Sequence, residues 1–168
     1  MFIAFLGGEN EQMNDKQVHL AGAVLDRSRH VCAFFNSKEE EYRVLLPFIQ
    51  EGFTQGDKAF HIVDPAHRPE HLRRLEGAGI DVAAAQQKGQ LEVLRWEDAY
   101  LQEGHFDQNR MLALLEQVLI TGEEQGFPLT RLVANMEWAL EDRPGVDDIV
   151  EYETRLNYLL PKYDDAVC

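Results

Sequence analysis

The sequence predicts an α/β fold, a mainly parallel sheet with helices on both faces. Three observations predict it. Short, mainly apolar runs, 31–35, 58–63, 91–96 and 131–136, read as strands, and the first, apolar throughout, as one buried on both sides. Segments with apolar residues at helical spacing lie between them, and glycine or proline punctuates the joints. Strands that alternate with helices imply parallel pairing, because parallel neighbours need a crossover.

The chain divides into a lead-in over residues 1–29 and a single domain over 30–168. In the lead-in, Gly7, Gly8 and a polar stretch through Lys16 precede Val18, Leu20, Ala21, Val24 and Leu25, a covering element whose type the sequence leaves open. Val31 to Phe35 is the first expected strand. Ser37, with Glu40 three residues on, predicts a capping box at the start of a helix whose face is Tyr42, Leu45, Leu46, Ile49 and Phe53. Pro47 predicts a kink inside it, and Gly52 and Gly56 are expected to close it. Lys58 to Val63 is the second strand.

Asp64-Pro65 marks a turn, and Pro69 suits the first position of a short helix carrying Leu72 and Leu75, stopped by Gly77 and Gly79. Residues 81–89 predict a helical turn, 91–96 the third strand and 97–105 an acidic loop. Asp107 is placed to cap a helix facing inward through Met111, Leu115, Val118 and Leu119; Gly126 and Pro128 end it. Residues 131–136 form the fourth strand. The last helix carries Ile149, Tyr152, Leu156, Leu159 and Leu160, with Asp147 and Asp148 at the positive end of its dipole. Residues 166–168 open a fifth strand, so the domain is expected to be cut within it.

Composition limits the functions available. At 168 residues the chain can bury a sizeable core unaided, and its 45% hydrophobic and 27% charged content is that of a folded protein. A formal net charge of −14 excludes unaided binding to nucleic acid or an anionic membrane, which takes lysine and arginine. No apolar run approaches the roughly 20 residues of a membrane helix, and no signal peptide is visible. Cys32 and Cys168 are too few and too far apart for a disulfide framework, so a cytoplasmic location is expected. Nine acids against three bases between Glu137 and Asp165 predict a solvated face.

In open parallel sheets, ligands bind beyond the carboxyl ends of the strands. That rule nominates Phe35, Asn36, Asp64, Trp96, Glu137 and Trp138. A phosphate loop needs glycine amides with a lysine and a hydroxyl at the helix start. After the first expected strand the chain offers Asn36, Ser37, Lys38, Glu39, Glu40 and Glu41, without glycine and with three acids, and Gly7-Gly8 precedes no GK[ST]. Nucleotide hydrolysis is not expected, and no cofactor is.

Asp64 and Glu137 could serve as an acid/base pair, or as ordinary caps and partners of Arg95 or Arg131. Trp96 and Trp138 could wall a pocket for a small organic molecule or simply fill the core. His30 and Cys32, two residues apart, project to one side of an extended segment. With His61 they are an alternative metal or redox set, one ligand short of a closed tetrahedral zinc site, and otherwise a structural thiol and imidazole. The helix 111–120 is apolar nearly all round, so it is either buried deeply or meets a partner, for which a second copy of the chain is the candidate.

The runs HVCAFF, LLPFIQEGFTQGDKAFHIV, GQLEVLRW, FDQNRML, NMEWAL and YETRLNYLL, in that order, resemble the MEDS (methanogen/methylotroph, DcmR-type sensory) domain from about His30 to the last residue. The resemblance implies a three-layer RecA/KaiC-like core without the nucleotide machinery. It also implies a non-enzymatic input role, in which a small organic ligand is sensed and the state passed to a fused or separate histidine kinase or transcription regulator. His30 and Cys32 belong to the family pattern, which adds them to the candidate ligand-binding residues, and the family continues past a cysteine in its final strand. Two other readings stay open: a degenerate RecA-like interaction module with no ligand, and a metal or hydrolytic enzyme built on His30, Cys32 and His61.

Overall fold

The computed structural model describes residues 17–25 and 29–163, and the backbone of 166–167. Gly7, Gly8 and Cys168 lie outside the described residues. The lead-in contributes a hairpin of β1 (Val18–Leu20) and β2 (Ala23–Leu25), paired antiparallel. It sits against α1 (Lys38–Gln55), where Glu51 accepts from the His19 amide at 3.0 Å.

The central sheet is parallel, in the order β4-β3-β5-β6. Its strands are β3 (Lys58–Val63), β4 (Leu91–Arg95), β5 (Thr130–Ala134) and β6 (Ala166–Val167). Every residue of β3 is buried, as a strand covered on both faces requires; its two polar residues are partnered, Lys58 with Glu92 and Gln125, and His61 with His71. On one face, Phe60, Ile62 and Leu132 pack against α4 (Trp96–Ala99), α5 (Gln108–Glu124) and α6 (Ile149–Leu159). On the other, Ala59, Val63, Leu91, Val93 and Val133 pack against α1, α2 (Arg68–Gly77) and α3 (Val82–Gln87). The result is the expected three-layer α/β core.

The helix starts follow local chemistry. Ser37 caps α1 through its hydroxyl, which accepts from the Glu40 amide at 3.2 Å. Glu40 does not complete the expected reciprocal box: its carboxylate accepts instead from the Asn36 amide at 2.8 Å and the Asn36 side chain at 3.0 Å. Asp81 and Asp107 cap α3 and α5 in the same way, with bonds of 2.9 Å to Ala84 and Asn109.

Three expectations are corrected. Residues 31–35 form no strand; Val31 is 38% and Phe34 95% exposed. An apolar run becomes a strand only with a ladder partner, and, among the described residues, 31–35 pairs with none of the sheet strands β4-β3-β5-β6. Gly52 does not end α1, which runs to Gln55 and is closed by Gly56 at φ 80°. Gly52 is where Arg131 lies against the helix: a Cβ there would stand 2.7 Å from Arg131 Cδ. The acidic loop after β4 instead contains α4 and a short 3₁₀ turn, Gln102–Gly104.

Candidate functional site

The carboxyl ends of β3 and β5 meet the first turn of α1, and a polar cluster forms there. Asn135, just past β5, donates its amide to Ile62 O at 2.8 Å and its side chain to Glu41 at 2.9 Å. Lys38 donates to Glu41 at 3.0 Å and also to Glu137. Burial works against the Lys38 charge, but the bonds to Glu137 and Glu41 outweigh it and raise its pKa. Glu41 is buried, while the Glu137 side chain is 46% exposed. The Lys38 ammonium is thus held between two carboxylates, and the neighbouring α1 turn carries more acid at Glu39 and Glu40. A phosphate would meet repulsion there.

The nominated residues separate into different roles. Asn36 precedes α1 and is bonded to Glu40, with half-buried Phe35 beside it in the chain. Asp64 holds its own turn, accepting from the Ala66 amide at 2.8 Å and facing His67 Nδ1 at 2.9 Å. Trp96 is buried against the α4/α5 side of the sheet. Trp138 is fully buried, its ring centroid 5.0 Å from Tyr100 and 5.3 Å from Phe106, and its indole nitrogen has no partner among the described residues. Tyr152 closes this aromatic cluster edge-on to Phe106 at 5.4 Å. Both tryptophans therefore fill core rather than line an open wall. Two recesses, of about 230 Å³ by Phe127 and Tyr163 and about 370 Å³ by His19 and Arg43, contain none of the nominated residues.

Neither arginine offered as a carboxylate partner serves Asp64 or Glu137. Arg95 pairs with Asp98 at 2.7 Å. Arg131, 2% exposed, reaches Asp57 and Glu51 at 2.9 Å each and Phe48 O at 2.7 Å. Its position in β5 sends it toward α1 at the opposite end of the sheet from the cluster.

His30 and Cys32 come together with a residue the sequence did not nominate. Glu153 of α6 lies 3.0 Å from His30 Nε2 and accepts from Cys32 Sγ at 3.9 Å. The Glu153 hydrogen bond raises the His30 pKa against the opposing effect of burial, while burial and then Glu153 raise the Cys32 thiol. Asn157, one helical turn on, faces His30 Nδ1 at 3.1 Å. Glu153 was concealed in an acidic stretch that read as solvated, although its i, i+4 spacing to Asn157 placed both on one helix face.

His61 is elsewhere. It lies fully buried in β3 with Nδ1 2.9 Å from His71 Nε2, and His71 Nδ1 is 3.0 Å from the Tyr42 hydroxyl. Burial lowers both imidazoles, His71 to about 4, and pushes Tyr42 up to about 12. His71 also escaped the sequence reading, yet it sits four residues before Leu75 on the inward face of α2.

The family model for the MEthanogen/methylotroph, DcmR Sensory domain matches residues 29–168. The chain belongs to the MEDS family. This MEDS domain is 27% identical over 149 residues to the transcriptional repressor DcmR of Methylorubrum extorquens, an alignment covering 88% of the chain and 52% of the repressor. The MEDS chain thus spans about half the length of that relative. No solved structure matches it significantly. Among the described residues, no helix is long and apolar enough to cross a membrane.

Proposed function

We propose that this MEDS domain is a non-enzymatic signal-input module that takes up a small, uncharged organic molecule at the carboxyl ends of β3 and β5 and passes its state to a transcription regulator or kinase. The observation that carries the reading is the composition of the strand-end cluster in a chain of a sensory family. Lys38 is clamped by Glu41 and Glu137, and Asn135 supplies neutral amide chemistry. Such groups orient a polar organic molecule and repel phosphate. Acid/base catalysis lacks its usual support, because Asp64 is engaged in its own turn and Glu137 is half exposed and ion-paired. That DcmR is a transcriptional repressor supports a regulatory output.

The test is a thermal-shift screen of small neutral organic molecules, with inorganic phosphate and ATP alongside. A ligand at about 100 times its Kd adds about 2.7 kcal/mol of stability. Stabilisation by an organic compound that disappears in Lys38→Met and Glu137→Gln supports the reading. No shift from any organic compound, or a shift from phosphate, refutes it. The burial of Trp96 and Trp138 favours a second reading, a protein-interaction module whose cleft is filled by its own side chains. That reading predicts normal signalling in the same two variants.

A further inference from the structure

Outside the strand-end cluster, one group of side chains has the geometry of a ligand set. Among the described residues, Cys32 Sγ, a ring nitrogen of His30 and a carboxylate oxygen of Glu153 all lie within 4.8 Å of one another. The sequence placed His61 in this company, but α6 supplies the third donor instead. We propose that His30, Cys32 and Glu153 form a site for zinc, or a divalent ion of similar softness, with its fourth position open.

The orientation of the imidazole argues for it. Asn157 donates its side-chain amide to the backbone carbonyl of Glu153 at 3.1 Å, which turns its Oδ1 toward His30. That oxygen can only accept, so His30 Nδ1 at 3.1 Å is the protonated nitrogen. Nε2 points at Glu153 Oε2, 3.0 Å away, with a lone pair to offer once it carries no proton, and the thiol is 3.9 Å from the same oxygen. Without an ion, a proton on Nε2 bridges to the carboxylate; a divalent cation would take that proton's place between the two groups. A ligating histidine whose other nitrogen donates to a fixed oxygen is the usual outer support of a metal site.

The donor types select the ion. One thiolate, one imidazole and one carboxylate suit zinc, whereas magnesium and calcium favour oxygen donors. Tetrahedral zinc, with bonds of about 2.0–2.3 Å, sets donors roughly 3–4 Å apart. The His30–Glu153 pair is at the near edge of that range, so a small inward movement of Cys32 completes the set. Cys32 is free to make it, because residues 29–35 are held in no sheet. Binding releases the thiol proton, and the Nε2 proton where the ring carries one, to solvent. The ion would fasten this extended segment to α6, independently of any molecule at the strand ends.

Chelator-treated protein titrated with cobalt(II), then competed with zinc(II), tests the site. One cobalt per chain, with a thiolate charge-transfer band lost in Cys32→Ser, is expected. Affinity should fall at least about tenfold in Glu153→Gln and in Asn157→Ala, and be unchanged in Asp64→Asn, at the separate Asp64–His67 pair. Far-UV circular dichroism establishes that each variant is folded; Cys32 is exposed, so its replacement leaves the core intact. Absence of the band, or equal affinity in folded Cys32→Ser or Glu153→Gln, overturns the proposal.

Discussion

Stability should fall with acidification through the pair His61–His71, and His71→Gln isolates the effect. The folded pKa of His71 is about 4, against an ordinary value of 6.5, because burial and the positive charges of Lys38 and Arg68 oppose its protonation. The unfolded chain therefore takes up the proton first. Stability from the neutral ring is complete above about pH 6.5 and is lost as the pH falls toward 4. The whole window is worth about 3 kcal/mol, of which about 2 kcal/mol lies between about pH 7 and pH 5. His61, fully buried and bonded to His71, acts in the same direction. Urea denaturation at the two pH values measures the loss. The parent should lose about 2 kcal/mol or more, and His71→Gln about 2 kcal/mol less than the parent. Carboxylates titrate alike in both proteins and cancel in the difference. Equal losses in parent and variant would refute the reasoning, since an imidazole that protonates as easily folded as unfolded stores no pH-dependent stability.

Two further predictions concern packing. Arg131→Met removes the guanidinium bonded to buried Asp57 and stacked 4.8 Å from Phe48, and should cost about 3–5 kcal/mol in urea denaturation; a loss below about 1 kcal/mol would show that Asp57 does not depend on Arg131. Gly145→Ala combines φ 86° with a Cβ only 2.2 Å from Phe106 O, so thermal unfolding should show a loss above about 2 kcal/mol. Gly126→Ala, at φ 80° but in open space, should cost only about 1 kcal/mol. Equal losses at the two glycines would refute the contact with Phe106.

Sequence alone determined whatever depends on neighbours along the chain. The run 58–63 reads as a strand because it is short, mainly apolar and bounded by turn residues, and Ser37, Asp81 and Asp107 start helices because their side-chain oxygens reach amides two or three residues on. The missing phosphate loop was equally legible, as it is a local pattern of residue types. Tertiary structure decided whatever depends on which distant segments meet. Residues 31–35 read like β3 but have no ladder partner, and strand formation is a property of pairs. Gly52 looked like a stop signal until Arg131, 79 positions along the chain, was seen to need its missing Cβ. Arg131 itself could have answered any nearby carboxylate; the β3/β5 register and α1 select Asp57 and Glu51. His30 and Cys32 were visible as a pair, but their third companion is 121 residues beyond Cys32, and only the packing of α6 brings Glu153 to them.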